Sequence, residues 1–387
     1  MKIVTIWNTY GPYHLARVRA IDQAFADDSI IYFSHCASNH QDYPFFRDML
    51  ENHEVISNRD SSELNFFSSF LATLKLLRKH QPSLILTCGY ERPETLAAVI
   101  YAKIRTKFVK VFLMLDNQID DHPRKWLYEF IKSLYLKLFD GFLIGGNTHL
   151  EYLKHLDVDD RKVAFGYDCV DNDSISALSN QRSKQSIEAD DLPSSKYFLC
   201  VSRLVEKKNI PTLLQAYAIY KQSIDHLGDR QDFDRAQVWR LIICGDGNLR
   251  DRIIDQISAL NLVEDVMLAG RIDDLGELVQ YYNSAEVLIL PSHHDEQWGL
   301  VVNEAMAAKL PVLVSQQCGC SQHLVEDGVN GWRFDGNSIT ELADRMIWMH
   351  KNQDRLADMG ENSWQIVQRY SPANFARQLQ DLYELVI

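Results

Sequence analysis

This 387-residue sequence lacks the features that are typical of nucleic-acid-binding and membrane-spanning proteins. Its formal net charge is −13, so it lacks the basic excess with which nucleic-acid-binding proteins displace counterions, and no nucleic-acid partner is expected. It has no run of about 20 apolar residues, the length that a membrane-spanning helix needs. The N-terminal residues MKIVTIW are typical of a strand, so we expect no signal peptide.

Paired cysteine motifs are also missing. The seven cysteines are odd in number and scattered, with no C-x-x-C pair, and Cys318-Gly-Cys320 is too closely spaced for half of a zinc finger. Several stand inside apolar runs, as Cys200 does. We therefore expect reduced cysteines in the core and a cytoplasmic location.

Short β-branched runs alternate with amphipathic segments along the chain, the pattern of parallel β-α-β units. The length and the 46% hydrophobic content are sufficient for two packed cores. Candidate strands are Lys2–Trp7, Ile30–Ser34, Ser83–Cys88, Phe108–Leu115, Gly141–Ile144, Tyr197–Ser202, Trp239–Cys244, Asp265–Leu268, Glu286–Leu290 and Pro311–Ser315. The expected fold class is α/β, with two Rossmann-like, doubly wound parallel-sheet domains and a cleft between them.

One polar stretch interrupts this alternation. Residues 171–195 are rich in Asp, Asn, Ser and Gln, which is typical of an interdomain linker. The sequence thus predicts an N-terminal domain over residues 1–170 and a C-terminal domain over residues 196–370. A last helix, Pro372–Val386, falls within the remaining segment, 371–387.

The most informative segment is Pro291–Ser315, which leaves a strand, crosses a polar loop and enters a helix. Glu296 falls in the loop and Glu304 on the helix, so the two carboxylates suit opposite ends of an elongated ligand. Free N–H groups at a helix start attract phosphate, and a glycine allows close approach. We therefore expect Glu296 at a sugar and Glu304 at ribose hydroxyls, with a phosphate at the amides of Gly299, Leu300 and Val301.

This segment resembles the E-x7-E signature of GT-B glycosyltransferases of the retaining family-4 type (glycosyl transferases group 1). The resemblance extends over roughly residues 197–334. Arg203 and Lys208 match the R-L-x-x-x-K segment after the first strand of the C-terminal domain, Gly245 and Gly247 match a G-x-G turn, and Arg271-Ile272 matches the segment that reads the nucleobase.

The resemblance implies a transferase that moves a sugar from a nucleoside-diphosphate sugar to a hydroxyl of a sugar, polysaccharide or lipid-linked acceptor, with retention. Arg203 and Lys208 would neutralise the departing diphosphate, and Glu296 would orient the sugar; these three are the candidate catalytic residues. No metal and no cofactor are expected, because the cationic side chains and the helix start supply the positive charge. The last helix would pack back on the N-terminal domain.

The N-terminal half carries fewer signals. Gly11 follows the first strand, where the family places a Gly-rich loop near the donor, and Asp116 stands where the family usually has a donor-contacting His. Both are candidate donor-binding residues. Asp121 and Arg124 resemble a D-x-x-R element of a subgroup that builds surface polysaccharides or glycolipids.

The segment Arg124–Phe139 permits two interpretations. Its broad apolar face and basic residues suit a helix resting on the inner face of an anionic membrane. They also suit a core helix with a solvated basic edge, which is the interpretation that we favour.

Three other functions compete with glycosyl transfer. A nucleotide-sugar epimerase would share the architecture but turn over donor without acceptor. An NAD-dependent dehydrogenase is disfavoured because Arg250 stands where the third glycine of its motif belongs. A non-catalytic nucleotide-sugar-binding scaffold would bind donor without turnover.

Overall fold

The computed structural model describes residues 1–8, 10–36, 52–57, 65–105, 108–119, 125–182, 195–228 and 237–387. The chain divides into two compact units. Unit 1 contains residues 1–170 and 370–387, and unit 2 contains residues 171–369. Each unit is built around one parallel sheet.

Unit 1 alternates strands and helices. They are β1 (Lys2–Trp7), α1 (Pro12–Ala24), β2 (Ser29–Cys36), β3 (His53–Ser57), α2 (Phe66–His80), β4 (Leu84–Cys88), α3 (Pro93–Ile104), β5 (Lys110–Leu115), α4 (Trp126–Leu136), β6 (Gly141–Ile144), α5 (Asn147–His155) and β7 (Val163–Phe165). Within the described residues, the sheet has the order β3-β2-β1-β4-β5-β6-β7, and all its pairs are parallel. The strands β5 and β6 are almost continuously apolar and buried, as expected for strands that helices cover on both faces.

Unit 2 follows with a similar alternation. Its elements are α6 (Asn172–Arg182), β8 (Tyr197–Val201), α7 (Ile210–Gly228), β9 (Arg240–Cys244), α8 (Arg250–Ala259), β10 (Val266–Gly270), α9 (Leu275–Ser284), β11 (Val287–Leu290), α10 (Leu300–Ala307), β12 (Val312–Ser315), α11 (Ser321–Leu324), β13 (Gly331–Phe334), α12 (Ile339–Lys351) and α13 (Leu356–Val367). The described strands are parallel and take the order β10-β9-β8-β11-β12-β13.

The chain then returns to unit 1 as α14 (Pro372–Val386). The Ser371 side chain accepts a hydrogen bond from the Asn374 N–H and caps this helix. Phe375, Leu379 and Leu382, which share one helix face, are buried in the core that α1 also lines. Burying each such side chain contributes about 1.5–3 kcal/mol, which fastens this C-terminal segment to unit 1.

The strand orders place a switch point in each sheet. In unit 2 the chain runs from β8 outward to β9 and β10, and then continues on the other side of β8 with β11. In unit 1 the corresponding change of direction falls between β1 and β4. Loops diverge at the carboxyl ends of such strand pairs, which is where open α/β sheets bind ligands.

The ten strands expected from the sequence are present, with bounds shifted by at most two residues, while three short strands, β3, β7 and β13, were not predicted. The stretch expected as a linker is helical over Asn172–Arg182. That helix is part of unit 2: Asn172 donates to the Val367 carbonyl over 3.0 Å, and Ser176 to the Ala307 carbonyl over 2.9 Å. Residues 183–194 lie outside the described part.

The expectation of a core position for the helix within Arg124–Phe139 is wrong. In α4 Leu136 is buried, whereas Trp126, Phe130 and Leu134 are exposed. The apolar pattern alone does not determine which way such a face points.

Candidate functional site

The loop after β8 is held close to the neighbouring loops of unit 2. Residues Glu206–Lys208 form a single 3-10 turn, and Asn209 ends it with φ of +54°, a left-handed conformation that Asn tolerates better than most residues. The buried Asn209 amide donates to the Pro291 carbonyl over 3.2 Å and to the Gly336 carbonyl over 2.8 Å. Asn209 thereby ties the loop after β8 to those after β11 and β13.

The loop after β11 brings the Glu296 carboxylate onto the Lys208 ammonium. The two groups form a buried, directly hydrogen-bonded ion pair across a sequence separation of 88 residues. Ser292 donates a second hydrogen bond to Glu296 over 2.9 Å, and Lys207 donates to the Asp295 carbonyl over 2.8 Å. Two residues predicted from sequence as parts of one site are therefore in contact at the β8/β11 switch point.

This pairing sets the protonation of Glu296. Burial by itself would raise the pKa of the carboxyl, but the charge and hydrogen bond of Lys208, with Lys207 and Ser292, outweigh burial and lower the pKa below its ordinary value of 4.5. Glu296 is consequently a carboxylate at neutral pH. It can accept hydrogen bonds from hydroxyl groups.

Gly299 begins α10 in a backbone conformation that requires glycine. Its φ is +104°, and a Cβ atom there would lie 2.6 Å from Leu290 Cδ2 and 3.9 Å from Glu296 Cγ. The N–H groups of Leu300 and Val301 stand at the helix start, where no preceding helical carbonyl can accept from them. The helix start therefore lies beside the Lys208–Glu296 pair.

Glu304 lies one turn further along α10 and is buried. Its carboxylate accepts a hydrogen bond from the Tyr282 hydroxyl of α9 over 2.8 Å. Tyr282 thus holds the second carboxylate of the E-x7-E segment, while Lys208 holds the first. No pattern in the sequence indicates that Tyr282 is this partner.

Gly245 and Gly247 are required by loop packing. A Cβ on Gly245, whose φ is +141°, would collide with the Ser202 carbonyl, and one on Gly247 would collide with the Leu204 carbonyl. The Leu204 N–H donates to the Asp246 carbonyl over 2.9 Å. These glycines seat the loop after β9 directly against the backbone on both sides of Arg203.

The remaining predicted residues of unit 2 are less enclosed. Arg203 is exposed and, within the described part of the chain, makes no salt bridge. Arg271 follows β10, is exposed, and donates from Nε to Asp273 over 2.6 Å, while Ile272 is half-buried. These side chains occupy loops at the carboxyl ends of β8 and β10, the same sheet edge as Glu296.

In unit 1, Gly11 is buried at the start of α1, and its N–H donates to Nδ1 of His14 over 3.1 Å. Burial lowers the pKa of His14 to about 3, with Arg17 contributing, so the ring is neutral and can accept this bond. Gly146 and His149 repeat the arrangement at the start of α5 over 3.0 Å. The spacing Gly-x-x-His at two strand ends is a sequence signal that was missed.

Asp116 is half-buried after β5, and a second carboxylate, that of Asp168, is buried after β7. Burial and then the Asp116 charge raise the pKa of Asp168 to about 7, although the buried Arg17 beside it opposes the shift. Arg17 stacks over the Tyr167 ring at 4.4 Å. Asp168 and Arg17 were not predicted as site residues, because buried charges are identified by their neighbours. Asp121 and Arg124 lie outside the described residues.

The fold and the positions of these residues define a protein of two Rossmann-like α/β units with a polar site at the switch point of unit 2. Residues 182–365 match the family model "Glycosyl transferases group 1". HepE of Anabaena, solved in complex with UDP and glucose, superposes with a TM-score of 0.72 at 18% identity, covering 99% of both chains. At that identity the likeness shows the GT-B fold.

Two curated relatives align with parts of the chain. D-inositol 3-phosphate glycosyltransferase of Corynebacterium kroppenstedtii is 34% identical over 108 residues, which are 28% of this chain and 24% of that protein. Alpha-monoglucosyldiacylglycerol synthase of Acholeplasma laidlawii is 27% identical over 188 residues, which are 48% and 42% of the two chains. The match thus spans less than half the length of either relative. The match to the family model lies within unit 2.

Proposed function

We propose that this chain is a glycosyltransferase that moves a sugar from a nucleoside-diphosphate sugar to an acceptor hydroxyl with retention of configuration. The observation that carries the proposal is the buried Lys208–Glu296 pair at the β8/β11 switch point, next to the glycine-led start of α10. A diphosphate needs cations and free N–H groups, and a sugar needs a fixed carboxylate. This arrangement offers both within one loop cluster.

The donor is proposed to lie along the carboxyl edge of the unit 2 sheet. Arg203, Lys208 and the amides of Leu300 and Val301 face the diphosphate, and Glu296 accepts from sugar hydroxyls. The Tyr282-held Glu304 takes the ribose hydroxyls. The loops around Gly245, Gly247, Arg271 and Ile272 take the nucleoside. The donor-binding roles expected from the sequence for Gly11 and Asp116 of unit 1 stay predictions.

In the proposed reaction the bond from the anomeric carbon to the diphosphate oxygen breaks, and a bond to the acceptor oxygen forms. The acceptor hydroxyl proton passes to the departing phosphate oxygen. The Lys208 ammonium interacts with Glu296 and with this oxygen. Because negative charge develops on the oxygen as the bond breaks, the interaction stabilises the transition state more than the bound donor. The reaction is proposed to need neither metal nor cofactor, which turnover in the presence of EDTA would test.

Surface polysaccharide or glycolipid synthesis is the proposed setting, because one relative is named as a synthase of monoglucosyldiacylglycerol. The acceptor is accordingly proposed to be a sugar, a polysaccharide or a lipid-linked hydroxyl compound. The epimerase alternative is distinguished by donor turnover without any acceptor. The scaffold alternative is distinguished by donor binding without turnover.

The direct test is a thermal-shift screen against UDP-, GDP- and ADP-sugars. A ligand at about 100 times its dissociation constant stabilises the folded state by about 2.7 kcal/mol. Arg203→Ala should remove most of this shift without destabilising the free protein, since Arg203 is exposed and, among the described residues, forms no salt bridge. Lys309→Ala, which removes an exposed cation from the far end of the α10 segment, is the matched control and should keep the shift.

A parent protein that shows no shift with any of these donors, or an Arg203→Ala variant that responds like the parent, would overturn the donor assignment. Product analysis with the donor that binds then determines the anomeric configuration. An inverted product would reject retention while leaving the donor site intact.

A further inference from the structure

Helix α4 of unit 1 presents its apolar side outward. Trp126 is 80% exposed, Tyr128 65% and Phe130 57%, and Leu127, Ile131 and Leu134 are each at least half exposed. At about 100° per residue, five of these side chains cover roughly 140° of the helix surface, and Tyr128 extends the apolar side to about 200°. A surface helix of a globular protein normally turns such a face toward the core.

The opposite face of α4 contains Glu129, Lys132 and the buried Leu136 and is held by specific contacts. Lys132 donates to Glu129 over 2.9 Å and to the Tyr152 hydroxyl of α5 over 2.8 Å, and its ammonium lies 5.3 Å from the centre of the Tyr90 ring. The side chains of the Lys132–Glu129 ion pair are both largely buried. These contacts fix the rotation of the helix about its axis, so the apolar face cannot turn inward without breaking them.

The charges on the outer side of α4 are basic. Lys125 precedes the helix and is exposed beside Tyr128, and Lys137 follows it, 2.5 Å from Asp157 of the neighbouring loop. The acidic residue of the helix, Glu129, is turned inward. Because Asp157 balances the charge of Lys137, Lys125 supplies the positive charge, and with Trp126 beside it the N-terminal end of the apolar strip complements an anionic lipid surface.

The C-terminal end of α3 and the loop that follows it also combine exposed apolar and basic side chains. Ile104 is 74% exposed and Phe108 is 81% exposed, with the exposed Arg105 between them. Helices α2 to α5 all pack on the same face of the unit 1 sheet, since each contributes to one core cluster, whereas α1 and α14 line the other. The exposed apolar side chains of α3 and α4 therefore belong to one side of unit 1.

We propose that α4 docks unit 1 on an anionic phospholipid bilayer, with the helix lying in the plane of the headgroups. Its 11 residues extend only about 16 Å, half of the roughly 30 Å hydrocarbon core, and among the described residues no helix is long and apolar enough to cross a membrane. Trp126, Phe130 and Leu134 insert at the acyl boundary, while Lys125 meets lipid phosphates.

The test is flotation with vesicles of phosphatidylcholine alone and of phosphatidylcholine mixed with phosphatidylglycerol, without donor or acceptor. The parent protein should float with the anionic vesicles, and Trp126→Ser/Phe130→Ser should bind at least about tenfold more weakly. Lys125→Glu should weaken binding to the anionic vesicles alone. Leu385→Ser/Ile387→Ser, which removes two equally exposed apolar residues from the other side of unit 1, should bind as the parent does.

Failure of the parent to float with either vesicle, or unchanged flotation of Trp126→Ser/Phe130→Ser, would overturn the proposal. So would concentration-dependent dimerisation of the parent that this variant abolishes without any lipid binding, because the face would then be a contact between copies. A donor thermal shift that Trp126→Ser/Phe130→Ser retains confirms that the variant is folded. Loss of vesicle binding with the shift intact separates this proposal from glycosyl transfer.

Discussion

The two sheets of this chain wind outward from corresponding switch points, but the loops that meet there differ. In unit 2 a buried ion pair, Lys208–Glu296, joins the loops after β8 and β11. In unit 1 the loops after β1 and β4 are joined by a hydrogen bond that the half-buried Arg92 donates to the exposed Asn8. Unit 2 therefore has two charged side chains buried at the sheet edge where a ligand would bind. The strand order provides a position for a ligand at the switch point of each sheet, and the side chains of the loops determine what can bind there.

Breaking the ion pair should have the largest effect. Lys208→Met leaves the Glu296 charge buried without its main partner and should cost about 3–5 kcal/mol of unfolding free energy, and Glu296→Leu should cost a similar amount. The double variant leaves neither charge and should recover much of that loss, yet still give no donor-induced shift. Urea denaturation of the four proteins measures the coupling. Single variants within about 1 kcal/mol of the parent would show that the pair does not stabilise unit 2.

The carboxyl groups of the two units should respond oppositely to pH. Asp168 has its pKa raised to about 7 by burial and the Asp116 charge, so between pH 4 and 7 the folded state retains a proton that the unfolded chain loses. The stability that this proton provides falls by up to about 4 kcal/mol as the pH rises through that window. Glu296 has its pKa lowered, so its contribution is lost only as the pH falls below about 4.5.

Urea denaturation at a series of pH values with Asp168→Asn measures the unit 1 effect. The variant cannot titrate at this position, so its unfolding free energy should change less between pH 4.5 and 7 than that of the parent. Equal slopes for variant and parent would assign the pH dependence to other groups.

The smallest expected effect is a difference in unfolding free energy between alanine variants of Gly299 and Gly11, the two glycines that begin α10 and α1. Gly299→Ala should cost about 2 kcal/mol, because φ is +104° and the added methyl meets Leu290. Gly11→Ala should cost below about 1 kcal/mol, because its φ of −90° suits any residue and the added methyl would lie 3.6 Å from His14 Nδ1, an ordinary contact distance. Equal losses in thermal denaturation would contradict the distinction.

Much of the fold follows from hydrophobic pattern alone. The bounds of β1, β6 and α14 agree with those predicted, because β1 and β6 are short apolar runs and α14 has apolar residues at a period of 3.6 after Pro372. The strands β7 and β13, with three and four residues, are too short to show a period. The polar composition of Asn172–Arg182 predicts a linker. In the structure this segment is a helix, because side-chain contacts to α10 and α13 hold it in place.

For the candidate site, the sequence was enough to predict which residues belong to it and their order along the chain. It was not enough to predict which side chains contact each other. Strand-end position, together with the resemblance to the family motifs, predicted Glu296, Glu304, Arg203 and Lys208 as one set. It did not reveal that Lys208 and Glu296 contact each other or that Tyr282 holds Glu304. Ser292 and Asn209 were missed because an isolated Ser or Asn in a loop carries no signal until its partners are known.

The sequence by itself determined that two parallel α/β sheets form and that the charged residues fall on the loops after their strands. Periodicity and strand-end position are local properties, and a local pattern is enough to specify them. Only the tertiary structure decided that β11 returns beside β8, which brings Glu296 to Lys208. It also decided that α4 points its apolar face outward. Both depend on contacts between residues far apart in the chain, and such contacts leave no pattern at short range.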